Sequence, residues 1–177
     1  MLNNPLWAWI AATSLAVLFA HASWIKASDR ELLIHHLAGY GVPVGLRKSL
    51  AYGVTVLEGL TAVTLVSPWH NWGALSAAAL LGIYALAMVL QLLQKRAIDC
   101  GCGGQSLPVS WSLVGRNVLL MAWAWEASQI RGLQEWEWID FGVVMAAVLL
   151  LMVLYSAAHQ VLLQQSLLRQ RLFSGSL

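Results

Sequence analysis

Across 177 residues this chain carries 59% hydrophobic and only 10% charged side chains, against a charged share of about 25% in ordinary soluble domains. That balance excludes a water-soluble domain with a buried core, and a net charge of +2 without a large basic cluster excludes a nucleic-acid-binding surface. The length fits a single membrane domain, 1–177, with no internal repeat and no low-complexity tract.

Five apolar runs approach the roughly 20 residues that span a bilayer: Leu6–Trp24, Ser49–Ser67, Trp72–Leu93, Trp111–Ile130 and Ile139–Leu163. A spanning segment must satisfy its backbone internally, so each is expected to be a helix. The expected fold is an all-α integral membrane protein, a bundle of five transmembrane helices. In the first run, "AHA" at 20–22 has the form of a small-x-small cleavage site. No Lys or Arg precedes it, and the run is long for the apolar core of a signal peptide, so it is taken as a true first span. Ala8, Ala12, Ala16 and Ala20 form a small-residue stripe that would let a neighbouring helix approach closely.

The first connection, "SDRELLIHHLAGYG", opens with a capping box, Ser28 and Glu31. Gly39 or Gly41, then Pro43, should end a short helix lying on the membrane surface. His35 and His36 are expected at that surface rather than on a metal. The second span holds Glu58 some nine residues in, about 13 Å deep at 1.5 Å per residue. A carboxylate at that depth needs a partner, water or a proton. Arg116 and Asn117 lie about five residues into the fourth span, so Glu58 and Arg116 are expected to pair. His21 sits near the end of the first span, one turn before Lys26. The last run is longer than a span needs, and "HQVLLQQSLLRQRLF" is expected to leave the membrane as an amphipathic extension.

Lys26, Arg30, Arg47, Lys48, Lys95, Arg96, Arg169 and Arg171 all flank the same side of these spans, while Arg131 stands alone on the other. The positive-inside rule then puts the N-terminus outside and the C-terminus in the cytoplasm of a plasma (inner) membrane. Trp7, Trp9, Trp69, Trp72, Trp123, Trp125, Trp136 and Trp138 fall at the outer face, Trp24 and Trp111 at the inner one, as interfacial belts. His21, Lys26, Glu58 and Arg116 project to one half of the membrane, around a shallow polar vestibule opening toward the connection after the third span.

That connection, "RAIDCGCGGQ", holds both cysteines. Extended i and i+2 residues lie about 7 Å apart, and a disulfide wants Cα atoms about 4.4–6.8 Å apart. Gly101 permits the bend that would join Cys100 to Cys102. So small a ring would be strained, hence oxidising, and a poor stabilising staple. Lys95 and Arg96 favour thiolate, whereas Asp99 opposes it and could accept a proton. Thiol–disulfide exchange suits the pair best. Soft-metal binding suits it less well, since two thiolates are an incomplete ligand set. An incidental tight turn is the third reading.

The motif "IDCGCGG" followed by "PVSWSLVGRNVLLMAWA" resembles the MauE family of methylamine-utilisation membrane proteins, part of a wider DoxX-like group. "WIKASD", "AGYGVP" and "VLEGLTAV" extend the resemblance back, so that it runs from about Leu15 to Trp125. It implies a four-helix DoxX-like core with a further C-terminal helix. It also implies that Lys26, Tyr40, Glu58, Asp99, Cys100, Cys102, Arg116 and Asn117 are the family positions. The chain departs from the family pattern at Gly103, commonly aromatic, and in "YGVTVLEG", which lacks the family's proline shortly before the glutamate. The resemblance implies a redox helper in maturation of a disulfide-rich protein, with a thioredoxin-like partner or its client and surrounding lipid. That maturation is periplasmic, in conflict with the cytoplasmic placement of the cysteines by charge. No flavin or haem motif and no metal site is expected, and a quinone is the candidate electron acceptor. The alternatives are a membrane carrier of a soft metal or small sulfur compound and a non-catalytic assembly subunit.

Overall fold

A computed structural model describes residues 5–94, 110–129 and 138–174, and every regular element among them is an α-helix. These are α1 (Pro5–Ser28), α2 (Arg30–Gly39), α3 (Val44–Leu65), α4 (His70–Leu93), α5 (Trp111–Ala127) and α6 (Trp138–Ser174). The all-helical architecture is as expected. The count of five spans is not confirmed. Among the described residues, α1, α4 and α6 are long and apolar enough to cross a membrane, over Leu6–Ser28, His70–Leu93 and Ile139–Ala158. Helix α3 stands where the second span is expected, but Arg47, Lys48, Glu58 and its threonines dilute its apolar character. Helix α5 has 17 residues, about 25 Å at 1.5 Å per residue, short of a roughly 30 Å hydrocarbon layer. By length and composition, three helices among the described residues qualify on their own.

Helices α1, α3, α4 and α5 close into a ring. Helix α1 packs on α3 and α5, and α4 packs on the same two, so α3 and α5 occupy opposite corners. Helix α6 lies against the outside of α1. There Ile10 meets Val144 and Val148. The main core gathers Ala8, Ala11, Ala12, Leu15, Ala16 and Phe19 of α1 with Leu65, Ala77, Leu80, Leu81, Ala124 and Ala127. Of the alanine stripe, Ala8, Ala12 and Ala16 are buried but Ala20 is exposed. A strict four-residue step drifts about 40° per repeat on a 3.6-residue helix, and by Ala20 the stripe has left the packed face.

The α1–α2 junction also differs in detail. Ser28 stays in α1, its hydroxyl donating to the Trp24 carbonyl at 2.9 Å. Asp29 is the N-cap of α2, its carboxylate accepting the Leu32 N–H at 3.0 Å. The cap has moved one residue because α1 runs four residues past Trp24. Gly41, at φ +80°, turns the chain after α2, and Arg47 Nε ties the turn by donating to the Val42 carbonyl at 2.7 Å. Between α3 and α4 the helices almost touch: a Cβ on Gly73 would lie 2.6 Å from the Leu65 nitrogen. Beyond Leu163, α6 continues without a break to Ser174, so the expected extension belongs to the same helix as the fifth span.

The tryptophans divide. Trp7, Trp24, Trp69, Trp72, Trp111 and Trp125 are exposed, as belt residues should be. Trp9 and Trp123 turn inward onto the core. Trp123 Nε1 donates to Ser14 Oγ at 3.2 Å, and its ring meets Trp7 edge-on at 6.4 Å.

Candidate functional site

The interior of the ring holds a small polar cluster drawn from three helices. Glu58 of α3 is 1% exposed. Its Oε1 accepts from Lys26 Nζ of α1 and from the Tyr84 hydroxyl of α4 at 2.5 Å. Lys26 Nζ also lies 3.5 Å from the Tyr84 oxygen and 5.0 Å from the centre of its ring. The ammonium is therefore matched by a carboxylate, a hydroxyl and an aromatic face.

Small residues bring α1 and α3 close enough for this. Ser23 Oγ donates to the Thr55 carbonyl at 2.9 Å, and a Cβ on Gly59 would lie 3.3 Å from Ser23 Oγ. Contacts through Ser, Thr and Gly are how membrane helices approach one another. Ser23 and Lys26 stand one turn apart on α1 and face Thr55, Gly59 and Glu58 on α3.

Below the cluster, Tyr84, Met88 and Gln91 share one face of α4, at i, i+4 and i+7. Gln91 and Met88 are buried. Asn117 of α5 is buried opposite them, its amide nitrogen 3.7 Å from the Met88 sulfur. This strip descends toward Gln94 and Ser110, the described ends that flank the cysteine-bearing connection.

The expected Glu58–Arg116 pair is not formed. Glu58 is held by Lys26 and Tyr84, while Arg116 Nη1 donates to the Tyr155 hydroxyl of α6 at 3.1 Å, with its guanidinium 5.8 Å from that ring. Two geometric facts explain it. Helices α3 and α5 lie on opposite corners of the ring. Neighbouring residues on a helix point about 100° apart, so when Asn117 faces inward Arg116 turns toward α6. His21 also stands apart from the cluster and is exposed, because five residues carry it about 140° around α1 from Lys26. Tyr40 caps the C-terminus of α2, well away from Glu58 in the chain, and its partial burial pushes the phenol above its usual range. Asp99, Cys100 and Cys102, with Lys95 and Arg96, lie outside the described residues. His35 is exposed on α2, as expected.

Tyr84, Gln91 and Tyr155 were not singled out from the sequence. The signal for the first two was present: in "GIYALAMVLQLL" the polar-tipped residues fall seven apart in an otherwise apolar span, on one helical face.

Comparison with known proteins bears on the same region. The family model described as methylamine utilisation protein MauE matches residues 5–128, which is α1 through the end of α5. The methylamine utilization protein MauE of Paracoccus denitrificans is 37% identical over 128 residues, covering 70% of this chain and 69% of that protein. The protein of the same name from Paracoccus versutus is 32% identical over 135 residues, covering 73% of each. No solved structure matches the chain. The matched part takes in the whole polar cluster and leaves α6 outside it.

Proposed function

The chain belongs to the MauE family of methylamine utilisation proteins, and on that premise we propose that it is a membrane-embedded maturation factor acting in methylamine utilisation through Cys100 and Cys102. One cysteine thiolate attacks a sulfur of a partner's disulfide and forms a mixed disulfide. The second cysteine displaces the partner as a dithiol, leaving Cys100 bonded to Cys102. In reverse, that disulfide oxidises a partner dithiol. The partner class is a thioredoxin-like protein or its client. A membrane quinone is the candidate acceptor should the pair be reoxidised within the bilayer.

The observation that supports this reading best is the Lys26–Glu58–Tyr84 cluster, which ties α1, α3 and α4 together. Its polar strip runs down to Gln94 and Ser110, between which the two cysteines are strung. A rigid, preorganised frame in the neighbouring helices is what an exchange site requires. Lys26, Glu58 and Asn117 then serve as positioning residues for that connection, with Asp99 as its nearest carboxylate in the chain. The Lys and Arg asymmetry of the sequence supports an orientation with the N-terminus outside, and the inner membrane is the proposed location.

Thiol labelling in intact cells tests the reading, using permeant and impermeant reagents before and after reduction. The expected result is a pair that labels only after reduction in part of the population, and from the cytoplasmic side. Labelling from outside alone would reverse the orientation, and permanently free thiols in active protein would remove the exchange mechanism. Partner maturation that survives replacement of both cysteines would make the chain a non-catalytic assembly subunit. Stoichiometric metal, lost in Cys100→Ser, would make it a soft-metal carrier.

A further inference from the structure

Arg116 of α5 is a partly buried cation that no carboxylate meets among the described residues. Its Nη1 donates to the Tyr155 hydroxyl at 3.1 Å, and its guanidinium lies 5.8 Å from the centre of that ring. Its Nε is buried and has no partner among the described residues. The described carboxylates of α5 and α6 are Glu126, ten residues on from Arg116, and Asp140, fifteen residues back from Tyr155. They stand about 15 and 22 Å away along the helix axes at 1.5 Å per residue. Glu58 is held by Lys26. A second arginine–tyrosine pair shows the contrast. Arg30 Nη1 donates to the Tyr52 hydroxyl at 3.1 Å, with its guanidinium 4.9 Å from the ring. Both of those side chains are exposed, so water completes their solvation.

The height of Arg116 in the fold suits an anion from the membrane surface. Trp123 of α5 packs against Val144 and Val148 of α6. Arg116 stands seven residues before Trp123, and Tyr155 seven after Val148. The two antiparallel helices are therefore bridged a second time, about 10 Å nearer the start of α5. Trp111, the exposed first residue of α5, suits a membrane–water interface. The apolar stretch of α6 ends at Ala158, three residues past Tyr155. The guanidinium is thus within reach of the level at which phospholipid phosphates lie. Leu119, one turn deeper on α5 and 72% exposed, gives an acyl chain an apolar surface beside it.

We propose that Arg116, braced by Tyr155, holds the phosphodiester of an anionic phospholipid at the α5–α6 seam. With Nη1 engaged by Tyr155, the Nε–Nη2 edge of the guanidinium is left, and that edge matches two phosphate oxygens in a bidentate contact. The net charge of an anionic lipid balances the lone cation, which a zwitterionic lipid does not. Helix α6, outside the part matched by the family model, supplies the brace. The site does not depend on the thiol reading.

Native mass spectrometry of the full chain in detergent tests the site, with phosphatidylglycerol or phosphatidylethanolamine of the same acyl chains added in equal amounts. The wild-type protein should retain phosphatidylglycerol about tenfold more tightly than phosphatidylethanolamine, and Arg116→Gln should lose that preference, the scale expected of hydrogen bonds to a charged group. Arg30→Gln removes an arginine from the exposed pair and should leave the preference intact. Tyr155→Phe keeps the ring beside the guanidinium, removes the brace, and should weaken phosphatidylglycerol binding about threefold. That variant carries the test should Arg116→Gln fail to fold. Equal retention of the two lipids by the wild-type protein overturns the site, and so does unchanged phosphatidylglycerol binding in Arg116→Gln and Tyr155→Phe. An equal loss in Arg30→Gln and Arg116→Gln overturns it as well, since attraction to any surface charge then suffices. Displacement of phosphatidylglycerol by inorganic phosphate would make this a free-anion site and overturn the lipid assignment.

Discussion

Lys26 Nζ and Glu58 Oε1 meet inside the ring of helices, joining α1 to α3 across 32 residues of chain. Both side chains are buried, so each charge depends on the other for its solvation. Removing one partner strands the other, and breaking such a pair costs about 3–5 kcal/mol. Removing both with apolar residues of similar size is far milder. Lys26→Met and Glu58→Gln are each expected to lower the melting temperature of the detergent-purified protein strongly. Lys26→Met combined with Glu58→Met should recover much of that loss. A double variant as unstable as the sum of the singles would show that the two residues do not interact.

Tyr84 offers a smaller, separable test. Its hydroxyl donates to the ionised Glu58 Oε1 at 2.5 Å, and a hydrogen bond to a charged group contributes about 1.5–3 kcal/mol. Tyr84→Phe keeps the ring beneath Lys26 and removes that donor together with the long contact from Lys26 Nζ to the same oxygen, at 3.5 Å. The expected outcome is a loss within that range in denaturant or thermal unfolding, with the helical content unchanged. No measurable loss would mean that the ring, not the hydroxyl, is what the cluster needs.

Which parts of this were legible beforehand follows from what sequence patterns encode. Apolar runs announce helices, and a lone Glu58 in such a run announces a buried partner. The partner itself depends on which helices are neighbours. Depth alone put Arg116 within reach of Glu58. Packing placed α5 at the opposite corner from α3 and gave the contact to Lys26, whose long stem reaches back into the ring. The same limit applies to the capping box after α1. Ser28 and Asp29 are both good caps, and only the point at which α1 stops selects Asp29. The small residues Ser23, Gly59 and Gly73 carry no sequence signal of their own until the helices they bring together are known.

Gly73 is where the α3–α4 hairpin should fail first. A Cβ there would sit 2.6 Å from the Leu65 nitrogen and 2.8 Å from the Leu65 Cα and the Thr64 carbonyl carbon. All three are backbone atoms, which cannot rotate away. Gly73→Ala must therefore push the two helices apart, at about 1–3 kcal/mol by the usual cost of overpacking. Gly45→Ala, with open space around its Cβ position, should be neutral or slightly stabilising in the same helical context. The pair of variants, melted side by side, separates a packing effect from a general intolerance of glycine replacement.

Tyr40 gives the fold a dependence on alkaline pH. It stands outside the apolar spans, at the C-terminus of α2, and burial raises its phenol above the ordinary value of 10.0. The folded state thus holds the phenolic proton more tightly than the unfolded chain does. Below about pH 10 both states are protonated and the stabilisation is fully present. As pH rises past that value the unfolded chain loses its proton first, fewer protons are bound there than in the folded state, and stability falls. Melting temperatures measured from pH 8 to 11 should decline for the wild-type protein over the upper part of that window. Tyr40→Phe, which keeps the ring and removes the titrating group, should flatten the part of that decline that belongs to Tyr40. An identical slope in the two proteins would assign the alkaline sensitivity to other groups.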